Sequence, residues 1–210
     1  MEATRRTSES DGAVKTEQMH ELLFQALETE IGGQMVYETA IRCADNDEVR
    51  EEWQQYLEET RDHERILREM FERLDLDAEA QSPGREVLRI KAQALVQAME
   101  AALEQAGKPA AQLVAAESIV EAETKDHQNW ELIGRLAEAT EGKTSKALKE
   151  AYDQVEEQED EHLYHTMGWA RELWIDSLGL PAVIPPPEEE KDVRTAIGAA
   201  RAEQQREDML

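Results

Sequence analysis

Stepping along the stretch from Leu22 to Tyr37 and beyond by alternating threes and fours picks out Leu23, Leu27, Glu30, Gln34, Tyr37, Ile41 and Ala44. In a helix these positions share one face. Such a face should be apolar, yet its middle carries a carboxylate, an amide and a phenol. Burying an unpaired carboxylate is prohibitively costly, so Glu30 must be paired, protonated or bound to a metal. The rest of the chain has to supply the partner.

The periodicity predicts a first helix from about Lys15 to Ala44 and a second from about Glu48 to Leu74, joined by Asp45-Asn46-Asp47 with Asp47 as N-cap. Ser82-Pro83-Gly84 breaks the chain. A shorter helix from about Arg85 to Gln105 is a crossover or outer layer without chemistry of its own, ended by Gly107-Lys108-Pro109. Two more long helices follow, about Ala110 to Ala139 and about Ser145 to Leu178, with a loop containing Gly142 between them. No alternating Val/Ile run separated by hairpin turns occurs, so the chain is all-α. Short connections within each long pair imply two antiparallel hairpins packed as a four-helix bundle, with the shorter helix between them. Residues 1–14 read as a disordered lead-in, 15–180 as the bundle, and 181–210 as a Pro/Glu-rich linker and tail.

Each of the other long helices faults its apolar face as the first does. The second runs Val49, Trp53, Tyr56, Thr60, His63, Leu67, Met70, Leu74, with Glu59 one turn before His63. The fourth runs Leu113, Ala116, Val120, Glu123, His127, Trp130, Gly134, Ala137; the last runs Leu148, Tyr152, Val155, Glu159, His162, Thr166, Trp169, Leu173. Residues equally far from a hairpin turn lie at one height. Glu30 precedes the first turn by about fifteen residues, and Glu59 and His63 follow it by about fourteen and eighteen. Glu123 and His127 precede the second turn by about fourteen to eighteen, and Glu159 and His162 follow it by about eighteen to twenty-one. At about 1.5 Å per residue, all of these fall in one layer in the middle of the bundle.

Four carboxylates and up to three imidazoles cannot converge in an apolar core without cations, because like charges repel and the carboxyl pKa values rise. Two divalent metals neutralise such a set. Bridging carboxylates with terminal imidazoles suit iron or manganese better than a structural zinc site. The bland reading of any one of these residues is a polar side chain at the edge of its helix face, reaching solvent. Internal similarity is partial: Glu59-Thr60-Arg61-Asp62-His63 recurs as Glu123-Thr124-Lys125-Asp126-His127.

Composition excludes some partners. With 48 acidic against 23 basic residues the formal charge is −25, which argues against nucleic acid or an anionic membrane. Cys43 is the only cysteine, so no disulfide forms within the chain and a small buried hydrophobe is its expected role. The first residues lack the apolar core of a signal peptide and no window approaches a membrane span, so a cytoplasmic location is expected.

Over about residues 17 to 178 the chain resembles the ferritin-like superfamily, in which a Glu from each of two helices and a Glu-x-x-His from each of two others hold a di-metal site. Glu159-Asp160-Glu161-His162 matches the Glu-x-x-His pattern. Glu30 with Tyr37 resembles the first-helix ligand and the tyrosine seven residues later in ferritins and bacterioferritins. Leu57 to Ile66 resembles the bacterial YciE/YciF-like branch. The helix faces and the resemblance together give a metal set of Glu30, Glu59, His63, Glu123, His127, Glu159 and His162, with Tyr37 beside it. Two departures stand out. Glu59 and His63 are four apart, so either Asp62 or His63 is the ligand, the helix face favouring His63. The fourth helix offers Glu117, Glu121, Glu123 and Asp126 where the family supplies one carboxylate; Glu123 lies on the face, which leaves His127 as an extra ligand or a support. His165 is a second support, and His20 is structural or exposed.

The expected function is a di-metal protein with two Fe ions per chain, Mn being possible, that oxidises Fe(II) with O2 or H2O2 in iron handling or oxidative-stress defence. Tyr37 and the tryptophans could pass or quench an electron. The long tail and extra helix favour a homodimer or small homo-oligomer over a shell. Two alternatives are a di-iron or di-manganese oxidase of an organic substrate, and a metal-free helical interaction protein.

Overall fold

The computed structural model describes residues 14–182. The predicted lead-in up to residue 13 and the predicted Pro/Glu-rich linker and tail beyond residue 182 lie outside the described residues. Within them the chain is all-α: α1 (Thr16–Cys43), α2 (Asp47–Arg73), α3 (Pro83–Ala106), α4 (Lys108–Ala139) and α5 (Gly142–Ser177), with no strand. No helix of the described residues is long and apolar enough to cross a membrane.

Local chemistry sets the breaks. Asn46, not Asp47, caps α2, its side chain accepting from the amides of Glu48 and Val49 at 2.8 and 3.1 Å. Asp47 is already helical and places its charge in the first turn, where it complements the helix dipole. Ser82-Pro83 is a break in one sense and a beginning in another. The Ser82 hydroxyl accepts from the Arg85 amide and Pro83 occupies the first turn, so α3 starts two residues before the predicted Arg85. Gly107 at φ 75° ends α3 and launches α4 without an intervening loop.

The four long helices form a closed ring of neighbours: α1 packs on α2 and α4, and α5 packs on α4 and α2. The α1–α2 turn is docked onto α4 by Gln112, whose Oε1 accepts from the amides of Asp45 and Asn46. α3 lies outside, on α1 and α4. It runs alongside α1 in the same direction. Gly84 N–H donates to Glu21, Arg85 donates to the buried Glu28 at 2.8 Å, and Arg42 reaches Glu100 near the far end. Gly32 permits this approach, since a Cβ there would stand 2.7 Å from that of Ala92. Cys43 is buried with its Sγ 3.8 Å from the Met99 carbonyl oxygen.

The interior is two apolar clusters with a polar layer between them. One holds Leu23, Leu27, Leu67, Phe71, Ile133, Leu148 and Val155. The other holds Val36, Ala40, Trp53, Tyr56, Ala115 and Ile119. Each large side chain buried there contributes roughly 1.5–3 kcal/mol. That stabilisation offsets the cost of what lies between.

Candidate metal centre

The layer between the clusters is built from six inward side chains: Glu30 on α1, His63 on α2, Glu123 and Asp126 on α4, and Glu159 and His162 on α5. All are buried. Five of them form two overlapping groups of three whose ligand atoms lie within 4.8 Å of one another, His63–Glu159–His162 and Glu30–Asp126–Glu159. Glu159 belongs to both. Glu123 stands next to them, with Oε2 3.7 Å from His162 Nδ1.

Hydrogen bonds from behind hold four of the six. Trp130 Nε1–H donates to Glu30 Oε1 at 2.8 Å, and the Tyr37 hydroxyl donates to Glu123 Oε1 at 2.6 Å. His63 Nε2 lies 3.0 Å from Gln158 Oε1, and His162 Nε2 lies 2.8 Å from Glu59 Oε2. Both acceptors are oxygens, so Nε2 of each imidazole is the donor and Nδ1 is the atom turned inward, available as a lone pair once it carries no proton. The inward atoms then lack partners. Glu30 Oε2, Glu123 Oε2, Asp126 Oδ1, both Glu159 oxygens and the Nδ1 atoms of His63 and His162 are buried without a hydrogen bond. His63 Nδ1 does lie 3.0 Å from Glu159 Oε1, but without hydrogen-bond alignment. A buried unsatisfied polar atom costs about 1–3 kcal/mol, and this concentration of them is what a divalent cation relieves.

Electrostatics points the same way. Burial, then the charges of Asp126 and Glu159, push the Glu30 carboxyl well above its ordinary range, against the opposing Trp130 bond. Burial, then Glu159 and Glu123, push Asp126 up. Burial, then Glu123, carries Glu159 to about 8. For His162, burial opposes charge, but the Glu123 carboxylate beside it and the bond to Glu59 outweigh it and raise the imidazole to about 10. Burial and the neighbouring His162 lower His63. Burial above all raises the Tyr37 phenol. Without a cation, the Glu159 carboxyl therefore holds its proton at neutral pH.

The sequence-predicted residues divide accordingly. Glu30, His63, Glu123, Glu159 and His162 come together, with Tyr37 bonded to Glu123. Glu59 stands behind His162 rather than among the inward atoms, its side chain 21% exposed. Bonding to His162 and Gln55 lowers its carboxyl despite burial. Of Asp62 and His63, it is His63 that turns inward, whereas Asp62 is 68% exposed and pairs with Arg65. His127 does not join the cluster. It turns toward α5, where its Nε2 meets Asp160 Oδ1 at 2.8 Å, and this bond raises its pKa against the effect of burial. His165 is exposed and contacts the Tyr56 hydroxyl at 3.1 Å, and His20 is half-buried near the start of α1.

Asp126 is the inward residue the sequence reading passed over. The buried line of α4 is Ile119, Glu123, Asp126, Trp130, Ile133, Ala137, which keeps Glu123, Trp130 and Ala137 of the predicted line but has Ile119, Asp126 and Ile133 in place of Val120, His127 and Gly134. Both lines step by threes and fours. The larger apolar side chains, Ile119 and Ile133 against Val120 and Gly134, mark the correct one. Gln158, the support for His63, carried no sequence signal.

Compared with known proteins, the chain matches no family model, no curated protein and no solved structure.

Proposed function

We propose that this chain is a ferritin-like di-metal carboxylate protein: an antiparallel four-helix bundle, with α3 added outside, that binds two divalent cations and oxidises Fe(II) with O2 or H2O2. The observation that carries the reading is Glu159. It is shared between two groups of buried ligand atoms, each of the size one ion needs, and neither of its oxygens has a hydrogen-bond partner. A carboxylate in that position can bridge two ions. Four carboxylates with two imidazoles are the donor set of iron or manganese rather than of a thiolate-rich zinc site.

The chain's own residues do three things for such a pair. Glu30, Glu123, Asp126 and Glu159 draw in and neutralise the cations. Gln158 and Glu59 fix the tautomers of His63 and His162, so that both present Nδ1. Trp130 and Tyr37 each hold one oxygen of Glu30 and Glu123, which leaves the other oxygen inward. Bound iron supplies the redox chemistry, two Fe(II) giving up two electrons to the oxidant.

The main alternative, oxidation of an organic substrate, finds little support. The cavity of about 290 Å³ between α1, α3 and α4 is lined by Thr29, Gly33, Val36, Leu95 and Lys125 among others, and by none of the six inward residues.

The test is anaerobic titration of chelator-stripped protein with Fe(II), followed by admission of air. Two irons per chain and their oxidation are expected, and Glu159→Ala should lose both ions. No stoichiometric metal in the unaltered chain would end the reading in favour of a metal-free helical interaction protein.

A further inference from the structure

The six inward side chains are closed off in most directions. The two apolar clusters shut the layer at both ends. On the α1–α4 side, Asn129 donates to the Thr29 hydroxyl at 3.0 Å beneath α3. On the α1–α2 side, Gly33 lies close enough to Thr60 that a Cβ would touch its methyl at 3.4 Å. Both remaining walls involve α5.

The two walls differ. Between α2 and α5, the bonds of Gln158 to His63 and of Glu59 to His162 fill the gap. Between α4 and α5 there is a narrow cavity of about 10 Å³, whose walls are His127, Glu131, Glu156 and Asp160 with the ring of Tyr152, and the deeply buried Glu159 and Trp130. That volume accommodates about one water molecule. Glu159 is 1% exposed. It is thus at once a wall of this opening and the residue common to both ligand groups.

We propose that cations reach the centre through this opening between α4 and α5. The half-buried Glu131 and Glu156 collect them at the mouth, Asp160 receives them with His127 as its closure, and Glu159 is the first ligand of the centre. This assigns His127 to the route rather than to the ligand set. The opening is too narrow for a hydrated ion, so the carboxylates that line it replace water as the ion passes. The inference rests on the reading of the cluster as a metal centre, and its test separates the two.

The test is stopped-flow uptake of Co(II) by the full, metal-stripped chain at low ionic strength, followed by the Co(II) ligand-field absorption, with the bound metal counted at equilibrium. Glu131→Gln/Glu156→Gln is compared with Glu58→Gln/Glu161→Gln, which removes the same charge from exposed positions on α2 and α5. The first pair should slow association by about tenfold, the lower end of electrostatic steering effects, and the second by about twofold or less. The equilibrium count should stay that of the unaltered chain. Equal slowing by both pairs would mean that the general acidic field draws cations, and would overturn the route. Slowing by the second pair alone would overturn it in favour of entry beside Glu59. If the unaltered chain binds no cobalt, the metal centre itself is refuted and the route falls with it.

Discussion

Replacing Glu159 by Gln should stabilise the metal-free protein while destroying its capacity for metal. Burial and the charge of Glu123 carry the Glu159 carboxyl from an ordinary value of 4.5 to about 8. Below about pH 4.5 the group is neutral in both folded and unfolded chains and costs nothing. Between 4.5 and 8 the unfolded chain ionises first, so stability falls as pH rises, and above about 8 the loss is complete. At 1.36 kcal/mol per pH unit the full interval corresponds to roughly 5 kcal/mol. Glu30 and Asp126 share the same protons, which reduces the part belonging to Glu159 to roughly 2–4 kcal/mol. For a domain of this size that is about 5–15 °C in Tm. Thermal unfolding followed by circular dichroism in chelator, at pH 5 and pH 8.5, reads the effect directly. Glu159→Gln should match the unaltered protein at pH 5 and exceed it at pH 8.5, and Mn(II) should stabilise only the unaltered protein. Parallel pH dependence of the two proteins would refute the argument, since it would mean that the carboxyl is not held uncharged among like charges.

Glu59→Ala and Gln158→Ala remove the supports of His162 and His63, so they should weaken Mn(II) binding by about 10–100-fold without changing the number of ions bound, as calorimetric titration would show. Gly32→Ala places a Cβ 2.7 Å from that of Ala92. It should cost about 1–3 kcal/mol of stability and speed amide exchange in α3, with metal stoichiometry unchanged.

Glu30, His63, Glu123, Glu159 and His162 were legible from period alone. A polar residue that interrupts an apolar line in a helix is conspicuous, and the constant rise per residue converts its distance from a turn into a height. That arithmetic brought five of the six inward residues to one layer. It could not choose between Asp126 and His127, which are adjacent in sequence and lie on two equally regular lines. The choice follows from what α4 packs against. With α1, α3 and α5 all on it, α4 is buried over a wide arc, and no single apolar line stands out. Period places Glu159 on the buried line of α5 and Glu59 beside that of α2, but that Glu59 grips His162 from behind follows only from the packed positions of α2 and α5.

The sequence by itself determined five helices, their breaks and the height of the polar layer, because these depend on local backbone chemistry and a fixed helical repeat. The tertiary structure alone decided three things. α3 lies alongside α1 and against α4, His127 joins Asp160 in the α4–α5 wall, and Asp126 completes the inward set. Each depends on the rotation of one helix about its axis against its neighbours, and that rotation is settled by packing between side chains far apart in the chain.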